Sequence, residues 1–155
     1  MPGPAAAWPP GAVARVHDPE EESSAVEPFE TARLDRYFRT VIEALVPVGT
    51  DARCLLITHL LADRPSFVRA VDRVTGVAAV LPKPKSAHRD AVRTVGLTYQ
   101  VDPLTRERFT DPDAACAYLE RRAAAAPVVL LDVGGYFAPV IGELCDRSTS
   151  CTARP

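Results

Sequence analysis

The sequence predicts an α/β domain built on a mostly parallel sheet. Three observations predict it. Short apolar runs suited to fully buried strands recur at RCLLIT, VAAVL and VVLLD. Segments with helical spacing lie between them. The interval from strand to strand, roughly 20–30 residues with a fourth strand included, suits right-handed βαβ units. A length of 155 residues fits one domain. Hydrophobic residues make up 47% and charged residues 25%, a balance that lets such a domain bury a core without disulfides or metals.

Residues 1 to 28 are rich in Pro, Ala and acidic residues and lack periodicity, so they read as a disordered arm. Trp8 either tacks that arm onto a surface or stays free. The expected domain spans 29–147. In ETARLDRYFRTVIEALVPVG, Leu34, Tyr37, Phe38, Val41, Ile42 and Leu45 recur at helical spacing. Thr31 is a candidate cap, and the apolar face suits a sheet. Cys54 to Thr58 is the first strand. Asp63 and Pro65 then signal a helix start, Phe67, Val68 and Val71 form its stripe, and Gly76 ends it.

Val77 to Leu81 is the second strand, followed by PKPKS and a short helix in SAHRDAVRTVG. GLTYQVD offers a third, more polar strand. In DPDAACAYLERRAAAA, Asp111 is placed to cap a helix with Pro112 at its first position. Val128 to Asp132 is the fourth strand. After Gly134-Gly135, YFAPVIGELCDR reads as a helix with Pro139 in its first turn. STSCTARP, residues 148–155, reads as a disordered tail. The whole is a three-layer arrangement of flavodoxin-like or Rossmann-like type, a four-stranded sheet with flanking helices.

The totals exclude several function classes. A net charge of −2 creates no field that favours nucleic acid or an anionic membrane. No apolar run approaches ~18 residues, so no span is expected, and the N-terminus lacks signal-peptide order. Cys54, Cys116, Cys145 and Cys151 show no CxxC spacing. Cys54 reads as a buried thiol, and a reducing, cytoplasmic setting is expected. GxGxxG, Walker, GxSxG and HExxH patterns are absent, and no cluster has metal-ligand spacing.

In open parallel sheets, ligands bind beyond the carboxyl ends of the strands. His59 follows the first strand, and an imidazole there can orient a ligand or serve as acid or base; it can equally hydrogen-bond a loop. Lys83 and Lys85 follow the second strand. Extended by the flanking prolines, they should point the same way and attract a carboxylate or phosphate; a solvated loop is the commoner outcome. Asp102 ends the third strand. Asp132, with Gly134 and Gly135, ends the fourth. There a paired glycine lets backbone approach a ligand, and a following helix would offer N–H groups, unless the turn is only structural.

ITHLLADRPSFVRAV, VAAVLPKPKS and VVLLDVGGYFAPVI resemble the front part of S-adenosylhomocysteine hydrolase-like proteins, in a divergent bacterial branch. The likeness runs from about residue 34 to residue 146. LDVGG resembles the family's LDDGG turn. The resemblance implies a substrate domain whose partner Rossmann domain binds NAD. The family's reaction oxidises the ribose 3′-hydroxyl, eliminates homocysteine, adds water and reduces again. His59 would fall near the family's histidine after the first strand, and Asp132 would match the first aspartate of LDDGG.

The catalytic second aspartate aligns with Val133, and the aspartate after the glycines with Tyr136. The family's later Glu, Lys and Asp, and its GxGxxG, have no counterpart in these 155 residues. The expectation is a truncated or split substrate domain, binding an adenosine-like ligand at His59, Lys83, Lys85, Asp132, Gly134 and Gly135. No cofactor is expected on this chain; NAD would come with a partner domain or oligomer. The alternative is a non-catalytic interaction or sensor domain.

Overall fold

The apolar run after Arg53 forms the centre of the protein. In the computed structural model, which describes residues 26–45 and 51–152, Arg53–Leu60 is strand β1. It pairs in parallel with β2, Val77–Ala87, on one side and β3, Val128–Asp132, on the other. The order is β2-β1-β3. Cys54 to Ile57 are buried because both faces of a central parallel strand are covered. The thiol of Cys54 is accordingly pushed up to about 11, chiefly by burial.

Alternation along β1 sorts the core into two layers. Leu55 and Ile57 face Phe109, Tyr118, Phe137 and Val140, beside helices α4 (Pro112–Ala123) and α5 (Ile141–Thr152). Leu56 and Leu60 face Val68, Val71, Ala91 and Val95, from helices α2 (Arg64–Thr75) and α3 (Arg89–Gly96). Asp72 ties the end of α2 to β2, its Oδ1 accepting from the N–H of Val77 at 2.7 Å. Asp111 caps α4, accepting from the N–H of Asp113 at 3.0 Å.

Several expectations are corrected. The sheet has three strands, not four. GLTYQVD contributes a single bridge, Val80 to Val101, closed by Val80 N–H to the Gln100 carbonyl and Asp102 N–H to the Val80 carbonyl. The ladder goes no further because Pro82, the next β2 residue facing this segment, has no N–H to donate to the Asp102 carbonyl. Strand β2 runs beyond Leu81 through PKPKS to Ala87.

The first helix, α1 (Pro28–Leu45), does not lie on the sheet. It packs on α2, where Phe38 meets Phe67 edge-on at 5.5 Å and Arg69 pairs with Asp35 at 2.7 Å. Only Ile42 reaches the inner cluster, and Tyr37 stays 60% exposed. Because the helix starts at Pro28, Thr31 sits inside it rather than capping it, donating its N–H to the Glu27 carbonyl. Residues 133–140 form turns, so α5 begins at Ile141 and Pro139 precedes it. The α5 backbone continues to Thr152, past the expected boundary at 147. The arm over residues 1–25, and Trp8 with it, lies outside the described residues, as do the last three residues of the expected tail.

Candidate functional site

Because all three strands run the same way, their carboxyl ends share one rim. Thr58 pairs with Pro82, and Ile57 with both Leu81 and Asp132. His59, Lys83 and Asp132 therefore lie at nearly one level across the sheet. Between Thr58 and Leu60 the register slips. Pro82 faces Thr58, but Ala87 faces Leu60. The single residue His59 is thus set against Lys83-Pro84-Lys85-Ser86, a bulge that re-aims side chains at the strand exit.

The bulge brings two of its residues onto the histidine. Lys83 Nζ lies 3.4 Å from His59 Nε2, and His59 Nδ1 lies 2.6 Å from Ser86 Oγ. An ammonium can only donate, so Nε2 is the acceptor and Nδ1 carries the proton donated to Ser86. Lys85 does not join: it is exposed, whereas Lys83 is half-buried. The two lysines are separated by the irregular pairing across Pro84.

The turn after β3 completes the cluster. Gly134 has φ +125° and Gly135 φ +66°, conformations that side-chain-bearing residues rarely adopt. A Cβ on Gly134 would lie 3.1 Å from Lys83 Nζ and 3.2 Å from the Tyr136 ring. The missing side chain is what lets the ammonium lie over the turn. Asp132 holds the turn shut, its Oδ2 accepting from the N–H of Phe137 at 2.8 Å. Its Oδ1 is buried without a partner. Val133, where the resembling family has a catalytic carboxylate, is 42% exposed and carries no group that can move a proton.

Asp102 takes no part in this rim site, being enclosed by Tyr118, Arg122 and Gln100. Ser86 is the residue that sequence reasoning missed. Its only signal was its place in PKPKS, since the register slip that turns it onto His59 has no mark in composition. A separate cleft of about 310 Å³ opens between the starts of α1, α2 and α3. Its charges are matched internally: Asp63 with Arg64, Arg69 with Asp35, and Arg93 with Asp90. Among the described residues no group of three or more His, Cys, Asp or Glu side chains could hold a metal ion.

No protein-family model matches the chain, and comparison with curated proteins and with solved structures returns no match either. The site therefore has to be read from its own chemistry. The residues present do not fit a dinucleotide: GxGxxG is absent, and the Gly134-Gly135 turn leads into further turns rather than into a helix N-terminus. What the rim can do is bind and orient. It offers an ammonium, an imidazole, a hydroxyl, the Asp132 carboxylate and a close-approaching backbone. No helix among the described residues is long and apolar enough to cross a membrane.

Proposed function

We propose that this chain is a ligand-binding domain of adenosylhomocysteinase type, taking S-adenosylhomocysteine or adenosine at the rim formed by His59, Lys83, Ser86 and the Asp132–Gly135 turn. The observation that carries the reading is the register slip at His59, which gathers His59, Lys83 and Ser86 beside the Gly134 turn. The resemblance of ITHLLADRPSFVRAV, VAAVLPKPKS and VVLLDVGGYFAPVI supplies the ligand class.

The domain binds rather than reacts. Thioether hydrolysis in the resembling family needs carboxylates that Val133 and Tyr136 replace here, and a dinucleotide that these residues do not hold. Chemistry would require a second unit carrying NAD. The open side of β3 supports such a partner. Its Val128 and Val129 are more than a third exposed, as are Val133 and Ile141 nearby in sequence, and the strand is paired on one side only. The alternative, a non-catalytic α/β interaction or sensor domain, is favoured by Val133 itself, which removes the acid–base group while leaving the turn.

Calorimetric titration with S-adenosylhomocysteine and with adenosine tests the proposal. Saturable binding that Gly134→Val abolishes is the expected result. No heat from either ligand up to millimolar concentration defeats it.

A further inference from the structure

Lys83 is half-buried, and among the described residues its one hydrogen-bond partner is His59, at 3.4 Å. Among the described residues no carboxylate lies within 4.0 Å of it, whereas the other partly buried cations of known geometry, Arg64, Arg69 and Arg122, each have one. Taking an ammonium out of water without a counter-charge is costly. This one is nevertheless held in place: Ser86 fixes the His59 ring, the ring's Nε2 lone pair fixes the ammonium, and Gly134 leaves the space it needs. The remaining N–H groups of Lys83 and the hydroxyl proton of Ser86 have no acceptor among the described residues. The charged group of the trio therefore has only donors left to offer.

We infer that Ser86, His59 and Lys83 form a relay that presents one fixed ammonium to an oxyanion on the ligand, a carboxylate or a phosphate, at the Gly134 turn. Lys83 is the binding residue, and His59 and Ser86 are positioning residues acting through it. This deepens the reading above and rests on it for the nucleoside part alone. The oxyanion of S-adenosylhomocysteine is its amino-acid carboxylate. Adenosine has none, and adenosine monophosphate offers a phosphate instead. Lys85, exposed on the same bulge, contributes only diffuse charge.

The test compares preferences, which a purely structural lesion does not change. Affinities for S-adenosylhomocysteine, adenosine monophosphate and adenosine are measured on the wild type and on Lys83→Met, Lys85→Met, Ser86→Ala and Ser86→Thr. Inorganic phosphate is titrated while the Lys83 side chain is followed by NMR. The wild type should favour an anionic probe over adenosine by about tenfold or more, the worth of one charge-assisted hydrogen bond. Lys83→Met should erase that preference and Lys85→Met should keep it. Ser86→Ala should weaken it several-fold and Ser86→Thr restore it.

Equal loss in the two lysine variants would overturn the inference, as would a wild type with no anion preference. If phosphate moves the Lys83 signals while no nucleoside binds, the oxyanion site stands and the nucleoside reading falls. If nucleosides bind with no response at Lys83, the reverse holds.

Discussion

Two polar clusters sit where segments leave the sheet, and they are built on opposite plans. Around Asp102 every valence is filled. Its Oδ2 accepts from Tyr118 at 2.8 Å and Arg122 Nε at 2.7 Å, and its Oδ1 from Arg122 Nη2 at 2.6 Å and Gln100 at 2.9 Å. The residue is 6% exposed. Around Lys83 a single long contact leaves the charge open toward solvent at the rim. A carboxylate with four donors has nothing left for a ligand and serves to join the 102–104 loop to α4. An ammonium with one acceptor still has donors to give. Position at a strand exit is therefore not enough to mark a binding residue; the number of unfilled valences distinguishes the two.

The comparison predicts its largest effect at the closed cluster. Asp102→Ala strands Arg122 and the Tyr118 hydroxyl in a buried setting and should cost about 3–5 kcal/mol in urea denaturation. A loss under about 1 kcal/mol would mean that the cluster is ornamental. The pH dependence has a definite sign. Burial alone would raise the Asp102 pKa, but the bonds from Tyr118, Gln100 and Arg122 outweigh it and hold the carboxyl below its ordinary value. A depressed folded-state pKa contributes stability that is fully present above the unfolded value, ~3.9. It is lost as pH falls through the folded one. The gap between wild type and Asp102→Asn should then narrow between neutral pH and about pH 2. A gap that widens on acidification would contradict the assignment.

How far the sequence reveals these clusters follows from what each depends on. The runs at Cys54–Thr58 and Val77–Leu81 are legible because a covered parallel strand must be apolar throughout, and the Asp111-Pro112 start of α4 because capping chemistry is local; VVLLD reads the same way, yet it is an edge strand with Val128 and Val129 exposed. GLTYQVD reads as a strand from its Leu, Tyr and Val, but pairing ends where Pro82 of β2 has no N–H to give it. The stripe Leu34, Phe38, Ile42 announces a helix without saying what covers it. Nothing in it distinguishes a sheet from α2, and the Arg69–Asp35 pair that decides the matter spans 34 positions. At the rim, His59, Lys83 and the glycines are legible from their place at the ends of the apolar runs, although β1 and β2 continue past His59 and Lys83. Ser86 is not, because its meeting with His59 requires a register slip set by both strands together.

Gly134 sits between the two plans, a residue whose value to the open cluster is the side chain it lacks. Gly134→Val places a branched Cβ at φ +125° and 3.1 Å from Lys83 Nζ. Strain and displacement together should cost roughly 2–3 kcal/mol. Lys85→Ala, on an exposed side chain of the same rim, should stay within about 0.5 kcal/mol of wild type. Equal thermal midpoints for the two variants would show that the turn tolerates a side chain, and that Lys83 is not confined by the glycine.

The smallest effect on folding belongs to Lys83 itself, and its sign carries the argument. Were the lysine a structural partner of His59, removing it would destabilise the rim, as removing Asp102 destabilises the α4 junction. If the ammonium is instead held half-desolvated for an anion that arrives with the ligand, Lys83→Met replaces an uncompensated charge with an apolar group of similar length. Stability should then stay level or rise, by up to about 1 kcal/mol. Thermal denaturation of the free protein measures this directly, and addition of S-adenosylhomocysteine should reverse the order, raising the wild-type midpoint more than the variant's. A variant less stable than wild type by more than about 1 kcal/mol without ligand would place Lys83 with Asp102 among the scaffold residues.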